Sequence, residues 1–221
     1  MNNNSSNSTS AAVAASFTTI KQMLTDRGLD VSSFESISSD DIVSQSQSNQ
    51  TFSFELPSCN IRVVYSLNQK YNNRDVKKLM NETSAAKNVT HAILVTRELP
   101  TSGSQILTQE RPQIKTYEIF RLTSLCCNKS RHVLQPKFEV MSEQEVKELL
   151  EFLGTTRARL PVIYNTDPMA EYYGLAPNQV VRIIRKTPSG GSSVYYRCCH
   201  AKVAHTSIAA APTTPQRQSQ G

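Results

Sequence analysis

Apolar residues recur along this chain at two periods. In "SFTTIKQMLTDRG" Phe17, Ile20, Met23 and Leu24 fall three or four apart, the stripe of an amphipathic helix, with Ser16 placed to cap its start and Gly28 to stop it. A Ser, Gln and Asp-rich stretch over residues 35–50 follows without periodicity. "TFSFEL" then alternates Phe52, Phe54 and Leu56 with polar neighbours, and "IRVVYSL" comes after Pro57, so the two predict a β-hairpin. "NRDVKKLMNETSAAK" returns to the helical period through Val76, Leu79, Met80 and Thr83. "THAILVT" is a short apolar strand, residues 104–111 a weaker helix, and "IKTYEIFRL" another alternating strand. This order predicts an N-terminal α/β domain over residues 16–140.

A second unit begins at a well-marked helix. In "VMSEQEVKELLEFLGTT" Ser142 and Glu145 have the spacing of a capping box, Met141 and Val146 that of a hydrophobic staple, and Gly154 stands where a helix end favours positive φ. The helix runs over 143–153, with Val146, Leu149, Leu150 and Leu153 as its apolar face. Further on, "TDPMAEYYGLAP" places Asp167 as N-cap, Pro168 at the first helical position and Gly174 as the stop, for a helix of two turns. In "NQVVRIIRK" Val181, Ile183 and Arg185 point one way, and Val180, Arg182, Ile184 and Lys186 the other. "TPSGGS" turns the chain and "SVYYRCC" returns. Residues 141–203 therefore predict a small C-terminal mixed β-sheet domain with short helices, and the chain as a whole an α+β or α/β protein of two domains. Residues 1–15 and 204–221 lack bulky periodic side chains and read as disordered tails.

Charge changes this picture. The formal net charge is +6, and residues 155–221 hold all of it: Arg157, Arg159, Arg182, Arg185, Lys186, Arg197, Lys202 and Arg217 stand against Asp167 and Glu171 alone. That surplus suits an acidic partner, nucleic-acid phosphate or protein carboxylate. No run approaches a membrane span, and "AAVAASF" is too short and unflanked for a secretory leader, so a soluble chain in cytosol or nucleus is expected. Cys59 and the vicinal pairs Cys126–Cys127 and Cys198–Cys199 lack metal-ligand spacing. On strands, vicinal residues face opposite sides, so reduced, structural thiols are expected. There is no glycine-rich phosphate loop and no local Cys–His signature. The strands also lack the carboxylate and lysine spacing of a metal-dependent nuclease. No metal or cofactor is expected, nor any small-molecule substrate.

The run "LPVIYNTDPMAEYYGLAPNQVVRIIRKTPSGGSSVYYR" resembles the C-terminal assembly domain of the fifth subunit shared by eukaryotic nuclear RNA polymerases, whose archaeal counterpart consists essentially of that domain alone. The likeness rests on Leu160–Pro161, Thr166–Asp167–Pro168, Tyr172–Tyr173–Gly174–Leu175, Gln179–Val180–Val181, Ile183–Ile184–Arg185, Gly191 and Tyr196–Arg197, in the family's order without a gap. Upstream, "MLTDRGLDV", "AILVT" and "HVLQPKFEVMSEQEVKELL" keep that order more thinly, so the resemblance covers about residues 17–199. Its two-domain length implies the eukaryotic type or a large DNA virus that borrowed it.

The resemblance implies a non-catalytic polymerase subunit in the nucleus, or in the nucleolus if dedicated to one polymerase. Its C-terminal domain would dock on the largest subunit beside other subunits. Its N-terminal jaw, of nuclease-like fold without catalytic residues, would lie near downstream DNA, with Pro100, Thr101 and Ser102 in proximity. The implied interface or assembly motif comprises Thr166, Asp167, Pro168, Tyr172, Tyr173, Gly174, Val180, Val181, Arg182, Ile183, Arg185, Tyr196 and Arg197. Tyr172 and Tyr173 would anchor through their rings, and Arg182, Arg185 and Arg197 would offer forked donors to carboxylates. Asp167 and Gly174 also read as scaffold. Departures from the family pattern at Thr187–Ser192, Ala176–Gln179 and Leu99–Ser102 suggest a divergent paralogue. The alternatives are a free-standing basic nucleic-acid-binding protein and, further off, a metal-dependent nuclease.

Overall fold

The computed structural model describes residues 3–48, 51–67, 89–98, 116–187 and 190–201. Its contacts divide the chain into two units, residues 1–136 and 137–221. The first helix is longer than its apolar stripe suggests. α1 spans Asn3–Asp26, so residues 3–15 are helical and not part of a tail. Ala11, Ala12, Ala14 and Ala15 are strong helix formers, and Val13, four residues before Phe17, extends the buried stripe by one turn. Ser16 is accordingly no cap. It is fully buried inside the helix, its hydroxyl donating to the Val13 carbonyl at 2.7 Å and sharing a hydrogen bond with the Tyr65 hydroxyl at 2.9 Å. Gly28 ends the helix at φ +77°.

The polar stretch after it also holds a helix. α2, Ser39–Ser48, starts where the Ser38 hydroxyl accepts the Asp40 N–H, and it buries Ile42. One buried apolar residue in a run of serines and glutamines is too little periodicity to be read in advance. β1 (Thr51–Leu56) and β2 (Ile61–Ser66) form the expected antiparallel hairpin. β3 (His91–Thr96) and β4 (Thr116–Arg121) add to it in parallel, giving the order β1-β2-β3-β4. The helices expected around Val76–Thr83 and over 104–111, and the C-terminal tail, lie outside the described residues. α3 (Leu122–Leu125) follows β4 directly. Cys126 and Cys127 lie just past its end, exposed and on no strand, so unlike Cys198 and Cys199 they are not held on opposite faces of a sheet.

One sheet face carries Phe52, Phe54, Tyr65, Ile93 and Glu118, and α1 supplies side chains to it: Phe17 meets Phe54 at 5.7 Å between ring centroids, and Ser16 meets Tyr65. At the far end Arg27 donates both arms of its guanidinium to Glu118, at 2.9 and 2.8 Å, with only 8% of the Arg27 side chain exposed. His91 Nε2 stands 3.1 Å from the same carboxylate, without the alignment of a full hydrogen bond. Burial alone would raise the Glu118 carboxyl, but His91 and Arg27 together outweigh it and hold it down at about 2.

In the second unit, β5 (Lys137–Val140), α4 (Glu143–Leu153), β6 (Val162–Tyr164), α5 (Pro168–Tyr173), β7 (Val180–Lys186) and β8 (Ser192–His200) build a four-stranded sheet in the order β5-β7-β8-β6. β5 pairs antiparallel with β7, which moves the boundary from the expected residue 140 back to Pro136. β6 runs parallel to β8. Three and four residues are too few to show a period, so neither edge strand was legible. α4 has the expected capping box at Ser142 and Glu145 and ends on Gly154 at φ +57°.

The Glu118 cluster generates a prediction. Its folded value of about 2 lies below the ordinary 4.5, so it adds stability that is present above pH 4.5 and lost as the pH falls towards 2. The contribution is about 3 kcal/mol. Glu118→Gln should flatten the acid limb of a melting-temperature-versus-pH curve, and Arg27→Ala should cost about 3–5 kcal/mol in urea unfolding by leaving a buried charge unpaired.

Candidate partner interface

α5 is built as its residues require. The Asp167 carboxylate accepts the Met169 N–H at 2.8 Å, Pro168 takes the first helical position, and Gly174 closes the helix at φ +61°. Met169 and Ala170 then face one side of the sheet, where Phe138, Ile163, Leu175, Val181, Ile183 and Cys199 complete a core. Tyr173 is half-buried, with its ring 6.1 Å from Phe138 and nearly parallel to it. Tyr172 is buried and meets Tyr173 edge-on at 5.2 Å. The other sheet face holds Val180 and Cys198 with Met141, Val146 and Leu160, flanked by Leu149, Leu150 and Tyr196. Cys198 and Cys199 thus sit back to back in two cores, and burial pushes both thiols above their ordinary value.

The three expected arginines part company. Arg182 turns inward: its guanidinium lies 3.4 Å from Glu139 on β5 and 3.6 Å from Glu145 on α4. Both carboxyls lie below their ordinary value, Glu139 chiefly through a hydrogen bond from Lys137 and Glu145 through the Ser142 N–H. Arg197 is exposed and donates to the Val162 carbonyl at 3.0 Å. Arg185 is exposed with no side-chain partner among the described residues.

Of the sequence-derived set, Tyr172, Val180, Val181 and Ile183 are buried. Asp167, Gly174 and Arg182 work within the domain. Thr166, Pro168, Arg185 and Arg197 reach the surface, and Tyr173 and Tyr196 are half-buried. Pro100, Thr101 and Ser102 lie outside the described residues. Sequence reasoning passed over Tyr195 and Tyr164, 52% and 53% exposed, and Val194 at 46%. A signal was available, because "VYY" is apolar at every position where one buried face needs only alternate ones. No group of three His, Cys, Asp or Glu side chains that could hold a metal occurs among the described residues. The surface assembled here offers cations, ring faces and hydroxyls, and these are means of holding a partner.

Fold and surface together define a small mixed-sheet C-terminal unit that leaves cations and a tyrosine exposed on its outer hairpin. The family described as RNA polymerase Rpb5, C-terminal domain, matches residues 127–199. Subunit Rpo5 of the DNA-directed RNA polymerase of Archaeoglobus fulgidus is 46% identical over 66 residues, which are 30% of this chain and 87% of that protein. Subunit 5B of RNA polymerases IV and V of Arabidopsis thaliana is 34% identical over 116 residues, 51% of this chain and 50% of that protein. The rpabc1 subunit of RNA polymerases I, II and III of Dictyostelium discoideum is 33% identical over 108 residues, 48% of this chain and 55% of that protein. The chain belongs to the family of the fifth subunit of DNA-directed RNA polymerases, and its matches span about half the length of the two eukaryotic relatives.

Two substitutions separate scaffold from surface. Asp167→Ala should lower stability by about 1 kcal/mol, read from the urea midpoint, because it removes the cap of α5. Arg185→Ala should leave the melting temperature unchanged, since its side chain contacts no partner among the described residues.

Proposed function

We propose that this chain is a non-catalytic subunit of a DNA-dependent RNA polymerase, with its C-terminal unit docking on the largest subunit. The observation that carries this reading is the match of the Rpb5 C-terminal domain family to residues 127–199, beside an archaeal subunit matched over 87% of its own length, together with the exposed Arg185 and tyrosines of the second unit. In this reading the N-terminal unit is a jaw of nuclease-like fold beside downstream DNA, and its mixed sheet under α1 is compatible with that architecture. The chain acts in the nucleus, and its divergence from the shared subunits fits a paralogue dedicated to one polymerase.

Affinity purification of the tagged chain, with its stoichiometric partners identified by mass spectrometry, tests the proposal. The expected result is recovery of the largest subunit of one nuclear polymerase, reduced severalfold by Arg185→Glu in a variant that melts like the parent. Recovery of all three polymerases would remove the dedicated role and keep the subunit. Recovery of none, with a salt-sensitive gel shift by the isolated chain, would favour the free-standing nucleic-acid binder. Cleavage of DNA with Mg²⁺ or Mn²⁺ that survives repurification would make it a nuclease.

A further inference from the structure

The β7–β8 hairpin is twice as long as the strands on either side of it. β5 reaches only from Val181 to Ile184 of β7, and β6 only from Cys198 to His200 of β8. Main-chain bonds fix the phase of the rest. Thr187 N–H donates to the Gly191 carbonyl at 2.9 Å, and Cys199 N–H to the Gln179 carbonyl at 2.7 Å. Odd-numbered β8 residues therefore bond to β7, and even-numbered ones turn their N–H and C=O the other way.

On that outer side Cys198 N–H donates to the Pro161 carbonyl at 2.8 Å, and the His200 carbonyl accepts from Asn165 N–H at 3.0 Å. Ser192, Val194 and Tyr196 have no such partners among the described residues. The cause is local. Pro161 fixes the chain before β6, and Leu160 behind it is drawn into the core on the α4 side, so β6 never extends alongside residues 192–196.

An open edge of five residues, roughly 17 Å long, is a template for another strand, and such edges are usually blunted by charge, proline or shortness. This one has none of these at its outward positions. Its side chains suit an occupant. Tyr195 stands beside Arg197 and Arg185 on one face, and Val194 beside Tyr196 on the other, with Val194 and Tyr195 about half exposed.

We propose that residues 192–196 of β8 accept an extended segment of a neighbouring polymerase subunit as a fifth strand of this sheet, apolar where it meets Tyr195 and Val194 and acidic where it passes Arg197 and Arg185. The proposal rests on the subunit reading above and names its mode of contact. A second copy of this chain is the poorer occupant, because it would bring the same basic hairpin against itself.

Val194→Pro tests the edge, since it removes an outward N–H and leaves every bond to β7 in place. Val194→Thr keeps the N–H. In affinity purification of the full chain, Val194→Pro should lower recovery of polymerase subunits at least tenfold, with Val194→Thr near the parent. In the purified parent assembly, amide exchange at Val194 and Tyr196 should slow at least tenfold relative to the free chain, while Ser193 and Tyr195 are slow in both. That second measurement needs no variant, so it decides the matter even if Val194→Pro fails to fold. Unchanged exchange at Val194 and Tyr196, or full recovery with folded Val194→Pro, would overturn the added strand and leave the subunit reading intact. Recovery of no polymerase subunit by the parent would overturn both. Self-association of the free chain in sedimentation, abolished by Val194→Pro, would assign the edge to a second copy and overturn the proposal.

Discussion

The second unit depends on the two-residue period of the β7–β8 pair. Val181 and Ile183 pack with Cys199 on one side, and Val180 packs with Cys198 on the other, so the inner half of the hairpin contributes to a core on each of its faces. α5 covers one side and α4 the other. A slip of one residue would exchange the two cores and bring each against the wrong helix. Register is therefore held from both sides, and the vicinal cysteines are small apolar fillers on opposite faces of one strand.

That constraint divides the labour of the basic residues. Where β5 lies alongside β7, Arg182 is met by Glu139 and Glu145 and belongs to the fold. One step past the end of β5, Arg185 is exposed and meets no side-chain partner among the described residues. The same division holds for the tyrosines: Tyr172 is inside, Tyr173 and Tyr196 are half inside, and Tyr195 is out. A motif that reads as one continuous stretch is thus scaffold over much of its length, with exposed side chains on the outer hairpin and at Thr166 and Pro168 around the start of α5.

Much of this was legible because short-range rules carry it. The capping box at Ser142 and Glu145, the Asp167–Pro168 start and the Gly154 and Gly174 stops are decisions made within four residues, and they appear as the spacing foretold. What escaped was set at long range. β5 and β6 are strands because β7 and β8 offer them partners, and residues 3–15 are helical because Val13 finds a core and Thr9 meets Arg97 at 2.7 Å. The roles of the three arginines were likewise invisible, since nothing local distinguishes Arg182 from Arg185. The carboxylates that meet Arg182 are more than thirty residues upstream.

The bond between Arg27 and Glu118 joins residues 91 apart in sequence. During synthesis the first helix must wait for the last strand of its own sheet, a delay of about 5–20 seconds at ordinary rates of translation. Through that interval a long helix with a greasy stripe stands without its final clasp. The nascent chain therefore has a window in which a chaperone or a wrong neighbour competes for α1, and the window closes only once β4 has left the ribosome.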